Sequence, residues 1–420
     1  MSKTSIIIAT TSILLLLHRV KSKKTIQTLT RPHTTKLKIG NKLNVTILGL
    51  GGASIGDLYI KISNIQAINT LLTAHSNNIT YFDTSPWYGV GLSEARFGIA
   101  LHQKKRTSFI LQTKVGRHLV PDRECKNGTK VGWIGGYHFK IRFDYTAAGF
   151  QRQMEDSLQR MGLGYIDSTV IHDLEPTVHI VKGKTNGLKE AREHLEVLKS
   201  SGFPKLQEMR RDGIISTFGA GMNSNEAGED ATIKRNWNKE YMRALVDLGT
   251  TETETETETK NARVPTRGVD FMLLANMFSL LNFEAHEDGI LQLCSDNNIA
   301  VVIGGPYSSG ILATGADPTN GSIPFYNYCP ANDAIRQRCR KIEQICNSYN
   351  VSLIAAAIQF PLLHPSVVSV IPGGKNSWEV NSNVDNMNTI IPIEMWYALQ
   401  KEHLIPPDLK LPSIVYSGSK

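Results

Sequence analysis

The 420-residue chain is poor in cysteine and holds no CxxC pair. Its five cysteines, Cys125, Cys294, Cys329, Cys339 and Cys346, are odd in number and lack metal-ligand spacing. A disulfide scaffold and a zinc site, or any other metal site, are therefore not expected. Free thiols suit a reducing compartment. Acid is missing from the start of the chain, where the first acidic residue is Asp57. Nine of the 46 Lys and Arg lie in residues 1–42, so the remainder carries 37 basic against 38 acidic residues. The net charge of +8 thus belongs to the N-terminal arm, and no basic face argues for nucleic acid. A bilayer-length apolar run is missing from that arm too. SIIIATTSILLLL (5–17) falls short of the about 20 residues that span a membrane comfortably. It suits a targeting segment or a short anchor on a cytoplasmic or organellar protein, and any membrane contact would come through it. Residues 1–42 are expected to be largely disordered and outside the fold.

From residue 43 onward, short apolar runs alternate with amphipathic segments. Strands are expected at VTILGLG (45–51), ITYFDTS (79–85), SFILQTKVG (108–116) and YIDSTVIHD (165–173). Four more are expected at GIISTFGAG (213–221), VDFMLLAN (269–276), IAVVIGG (299–305) and SVVSVIPG (366–373). Most are apolar on both faces, as parallel strands covered on both sides must be. Helices are expected between them at 63–77, 148–162, 286–298 and 331–350. Eight strands alternating with helices predict an α/β protein with a (β/α)8 TIM barrel over 43–420. The rival doubly wound sheet requires GxGxxG after its first strand, and GLGGASIGD (49–57) does not supply it.

Insertions interrupt the barrel pattern. Residues 117–144 form a long loop after the third strand, on the side where barrels build their sites. Residues 174–200 are a second insertion with an amphipathic helix at its end. A low-complexity insertion lies near 224–262, where TETETETETK (251–260) buries nothing and is expected to be disordered.

Strand C-terminal ends of a barrel converge on one mouth. Asp83 ends the second strand, Tyr88 follows in its loop, Lys114 ends the third strand and His172 ends the fourth. Any one alone reads as a turn cap, a core aromatic, a solvated lysine or a structural histidine. Four at the ends of three consecutive strands suit proton transfer to or from a carbonyl/alcohol oxygen. A phenol titrates near pH 10, too high for a base at neutrality. A neighbouring ammonium is expected to stabilise its phenolate, with a carboxylate holding the ammonium. A neutral His172 is expected to orient the substrate oxygen. Such a site needs a hydride partner.

Over about 43–390 the chain resembles the aldo-keto reductase family. Asp83, Tyr88, Lys114 and His172 match the family's catalytic residues in order and strand context. EDSLQRMGLGYIDSTVIHD (155–173), FPKLQEMRRDGIISTFGAGMN (203–223) and GGPYSSGILATG (304–315) carry further likeness. The last, with FDTSPWYG (82–89), is most similar to the sugar-dehydrogenase branch, which includes D-threo-aldose 1-dehydrogenase, L-fucose dehydrogenase and L-galactose dehydrogenase. The resemblance implies an NAD or NADP cofactor across the barrel mouth. Its implied contacts are Gly52 and Ala53, then Tyr307, Ser308, Gly310 and Leu312 by the pyrophosphate. By the adenosine they are Gly373, Gly374, Lys375, Glu379 and Asn383. Glu379 stands where NADP-type relatives carry Arg, which favours NAD. Lys375 is the counterweight, and Ser382 departs from the Glu of many relatives. The implied reaction is oxidation of an aldose at C1 to an aldonolactone. Reduction of an aldehyde or pyridoxal with NADPH is the alternative, and a non-catalytic channel subunit the third reading. A small-molecule substrate and a monomer or homodimer are implied.

Overall fold

The computed structural model describes residues 31–40, 42–124, 133–179, 187–224, 230–249, 268–319 and 321–411. Eight parallel strands form one sheet in chain order. They are β1 (Leu50–Gly51), β2 (Tyr81–Asp83), β3 (Ile110–Val115) and β4 (Ser168–Ile171), then β5 (Thr217–Asn223), β6 (Phe271–Ala275), β7 (Ala300–Gly304) and β8 (Val367–Ile371). Gly49 N–H donates to Val370 O and Gly51 N–H to Pro372 O, which joins β1 to β8 and nearly closes the ring. The expected TIM barrel is what the chain forms. Its strands are buried on both faces because side chains fill the ring and helices cover it.

Local chemistry sets the helix ends. The Ser63 hydroxyl accepts Gln66 N–H at the start of Asn64–Ser76, and Thr146 accepts Gly149 N–H at the start of Ala147–Met161. Gly162 ends the second helix at φ 62°, a left-handed conformation that glycine adopts without strain. One helix expected at 286–298 is two, Glu284–Glu287 and Ile290–Asp296, because Gly289 at φ 75° breaks the run.

The insertions are more ordered than their composition predicts. The 117–144 stretch contains an antiparallel hairpin, Arg117–Pro121 against Phe139–Phe143. A helix over Ala231–Asp247, capped by Asp230, occupies part of 224–262 and buries Trp237, Tyr241, Met242 and Leu245. The Thr-Glu run lies outside the described residues.

The fold also begins before residue 43. Lys36–Ile39 pairs antiparallel with Leu43–Thr46. Lys36 and Lys38 face solvent, while Leu37 is half-buried and Ile39 is 0% exposed. KLKI is a period-two strand whose lysines disguised it as part of a basic arm. His33 anchors the same segment through Asn388 and the Asn77 carbonyl. A chain starting at residue 43 is therefore expected to lose about 2 kcal/mol or more relative to one starting at 31, largely from Ile39. Urea unfolding checks this, and equal midpoints and slopes would contradict it.

Candidate active site

Parallel pairing of β2 with β3 sets Asp83 opposite Gln112. Lys114 lies two residues further along β3, so its stem reaches back to the strand end. Its Nζ donates to Asp83 Oδ1 at 2.7 Å, Asp83 Oδ2 at 2.7 Å and Thr84 O at 2.9 Å. These bonds use all of the ammonium's donors. Both side chains are almost wholly buried, 1% and 2% exposed. Burial pushes the Lys114 pKa down, and contact with Asp83 opposes that.

Tyr88 lies beside this pair, with Lys114 Nζ 4.6 Å from its ring centroid. The ammonium therefore acts through the ring face rather than through a hydrogen bond to the hydroxyl. Burial holds the phenol well above its ordinary pKa, and the charges of Asp83 and Asp173 raise it further. This corrects the expectation that Lys114 presents a stabilised phenolate. Asp83 cancels the ammonium at contact distance, so burial dominates.

His172 follows β4 directly. Its Nδ1 is 3.1 Å from Ser85 Oγ, which also accepts Trp87 N–H. Its Nε2 is 3.2 Å from Asp173 Oδ2. Burial, then Arg117 and Lys114, lower its pKa well below the usual histidine range, so the imidazole is neutral. A proton on Nε2, with Ser85 donating to Nδ1, satisfies both nitrogens.

Tyr88, Lys114 and His172 face a cavity of about 420 Å³. That lies within the usual range for small-ligand sites. Trp87, Trp133 and Phe143 give it aromatic walls, and Arg117, Asp173 and Asn223 give it polar ones. Tyr328 closes one side. The Trp87 and Trp133 rings meet edge to face at 6.0 Å, and Tyr88 lies 5.7 Å from Trp133.

The expected cofactor residues fall into two groups beside this cavity. Ala53 lines the cavity itself, and the neighbouring Gly52 carbonyl accepts the Ser93 hydroxyl. Across the mouth, Ser308, Ser309 and Gly310 have φ of 47°, 61° and 114° in succession. A side chain at Gly310 would meet nothing within 4 Å. A backbone concavity of this kind, open where a Cβ would sit, fits a phosphate-bearing dinucleotide. Tyr307 donates its hydroxyl to Asn383 Oδ1 at 2.7 Å, and Asn383 Nδ2 donates to the Gly373 carbonyl at 3.3 Å. Those bonds tie the β7 and β8 ends together. Ser308 Oγ is buried against Ser279 Oγ, and the Leu312 side chain belongs to the core. Gly374 packs where a Cβ would meet Val380 at 3.2 Å.

Lys375 and Glu379, read as opposing determinants of the cofactor, are bonded to each other. Glu379 Oε2 accepts the Lys375 N–H at 2.9 Å, and Oε1 is 3.2 Å from its Nζ. Asn376 caps the same helix by accepting Glu379 N–H. The two charges cancel locally, which removes the simple electrostatic argument for NAD over NADP.

Sequence reading missed Arg117, Asp173 and Asn223. Asn223 ends β5, two residues beyond the expected strand. Asp173 directly follows His172, so the strand-end rule already pointed beside it. Arg117 opens the hairpin and carried no signal of its own.

Comparison with known proteins gives a consistent picture. The model of the Aldo/keto reductase family matches residues 47–402. The chain is 33% identical to pyridoxal 4-dehydrogenase of Microbacterium luteolum, over 86% of this chain and 95% of that one. It is 28% identical to D-threo-aldose 1-dehydrogenase of a Pseudomonas species, over 87% and 96%. Among solved structures, an aldo-keto reductase from Bacillus halodurans superposes with a TM-score of 0.61 at 20% identity, covering 90% of this chain and 98% of that one.

The Lys114–Asp83 pair makes a direct prediction. Asp83→Asn strands a buried ammonium and is expected to cost about 3–5 kcal/mol in stability. Asp83→Leu combined with Lys114→Met is expected to recover most of that loss. Denaturant unfolding of both variants checks it; a mild Asp83→Asn or a still weaker double variant would be the contrary result.

Proposed function

The chain belongs to the aldo/keto reductase family of NAD(P)-dependent oxidoreductases, and on that premise we propose that it oxidises a cyclic hemiacetal to a lactone. An aldose in its ring form is the first substrate class and pyridoxal the second. The carrying observation is the cavity's mixed lining beside the buried tetrad. Indole faces suit the flat or C–H-rich face of a small ring, and Arg117, Asp173 and Asn223 suit its hydroxyls. The two curated relatives are named for an aldose and for pyridoxal. These compounds share one chemistry: each closes its aldehyde onto one of its own hydroxyls. The ring carbon then carries both a hydroxyl and a hydrogen.

In this reading the ring hydroxyl points at Tyr88 and His172. A bound nicotinamide supplies the hydride acceptor. Tyr88 takes the hydroxyl proton in its phenolate form, a minority at neutral pH that grows as pH rises, and the phenol gives that proton back in the reverse direction. Neutral His172 turns its one N–H, on Nε2, from Asp173 Oδ2 to the same oxygen when substrate binds, and so fixes which lone pair faces Tyr88. Lys114 and Asp83 hold the Tyr88 ring rather than exchange the proton themselves. The raised Tyr88 pKa favours the phenol as proton donor, so reduction of an aldehyde through the same residues is the competing direction.

Two tests follow. Tyr88→Phe is expected to lower turnover by about 10²–10⁴ while still quenching protein fluorescence on NADH addition. Near-wild-type turnover in that variant removes Tyr88 from the chemistry. For the substrate, L-fucose, L-galactose, D-arabinose and pyridoxal are offered with NAD⁺ and NADP⁺, and lactone is trapped with hydroxylamine. 5-Deoxypyridoxal lacks the hydroxyl that closes the ring and is expected to be inert. Its oxidation at the rate of pyridoxal, or a carboxylate product without a lactone, contradicts the hemiacetal reading.

A further inference from the structure

Arg117 opens the hairpin on the cavity wall and is 5% exposed. Its guanidinium lies 4.8 Å over the Trp87 ring and 5.7 Å from Phe143. Nη2 donates to Asp173 Oδ2 at 2.8 Å, whereas Nε is buried without a hydrogen bond. A guanidinium cannot shed its charge at any working pH. A buried, unmet N–H on such a group is costly, so the surroundings hold this guanidinium in place.

Asp173 is held as firmly from the other side. It has φ 41°, a left-handed conformation that costs a non-glycine residue about 1–3 kcal/mol and persists only where surroundings enforce it. Its Oδ1 accepts from Asn223 Nδ2 at 2.8 Å, and its Oδ2 faces both Arg117 and His172 Nε2. Behind it, Asn223 N–H donates to Glu175 Oε1, and Glu175 Oε2 pairs with buried Lys234 at 2.6 Å.

Among the described residues, the charges around the cavity are therefore matched one to one. Lys114 has Asp83, Arg117 has Asp173, and Lys234 has Glu175 behind the wall. His172 is neutral. A ligand carboxylate or phosphate entering here gives up its water and finds a cation already neutralised. A hydroxyl meets a guanidinium and a carboxylate side by side on the lining, so it is served as acceptor or as donor.

We propose that Arg117 and Asp173 form the specificity-determining pair of this site, admitting uncharged, hydroxyl-bearing substrates and rejecting anionic ones. Asp173 supplies the rejection, because it cancels the charge that would otherwise recruit an anion. The substrate class rests on the hemiacetal reading above, but the selection against charge does not.

The experiment compares molecules that share a carbon skeleton and differ in charge. For the best sugar, inhibition by its aldonolactone is compared with inhibition by the hydrolysed aldonate. For the reverse reaction, kcat/KM for D-glyceraldehyde is compared with that for succinic semialdehyde. The wild-type chain is expected to favour the neutral member of each pair. Asp173→Asn is expected to move both ratios toward the anion by about tenfold or more, and Arg117→Gln/Asp173→Asn to bring them back. A purely structural role would weaken both members together and leave the ratios in place. Fluorescence quenching by NADH identifies folded variants, and the wild-type ratios test the pair even if no variant folds. A wild-type preference for the anion overturns the proposal. So do unmoved ratios in Asp173→Asn, or the same shift in the double variant. If no sugar is oxidised while aldehydes are reduced, the hemiacetal reading fails, and the aldehyde ratio still decides the role of the pair.

Discussion

One buried ion pair governs the site. Lys114 is placed inside the barrel by β3, and a lone ammonium there is untenable. Asp83 makes it tolerable with both carboxylate oxygens, and Thr84 supplies the third acceptor. The parallel register of β2 and β3 is what allows this. Gln112 reinforces it by donating to Asp83 Oδ1 at 2.7 Å. With its ammonium fixed, Lys114 fixes the face of Tyr88, and Tyr88 in turn packs against His172 with the rings edge-on at 6.0 Å. The reactive hydroxyl is thus positioned by a chain of contacts that starts from one lysine's need for a partner.

The same rule extends outward. Among the described residues, each cation lining the cavity is answered by an acid at contact distance, and the described wall carries no net charge. It also resets the proton chemistry. A free ammonium beside Tyr88 would favour its phenolate, whereas a neutralised one leaves burial in control. The phenol stays protonated and the imidazole stays neutral for the same reason, since desolvation disfavours both charged forms.

Much of this was legible in the sequence. Eight apolar runs separated by amphipathic segments gave the barrel, and the rule that strand ends converge gave Asp83, Lys114 and His172. What escaped depended on pairing between distant or disguised segments. KLKI (36–39) was hidden by its lysines, although its alternation is that of a strand. Arg117 gained its role only when the hairpin folded it over Trp87. Asp173 and Asn223 became polar walls through bonds that no spacing announces. Lys375 and Glu379 looked like opposing determinants, Glu379 favouring NAD and Lys375 a phosphate, and four residues along a helix start proved enough to pair them with each other. Residue chemistry was readable in each case, but the partner that redirects it was not.

The central claim is that burial, unopposed by Lys114, keeps Tyr88 protonated at neutral pH. The most direct measurement is kcat/KM against pH in both directions, for the wild type and for His172→Gln. The account predicts that aldehyde reduction is flat between about pH 6 and pH 8, while oxidation climbs steadily with pH over the same range. Both trends should persist, at lower amplitude, in His172→Gln. A bell centred near neutrality that disappears in His172→Gln would contradict the account, because the titrating group would then be the histidine rather than the phenol.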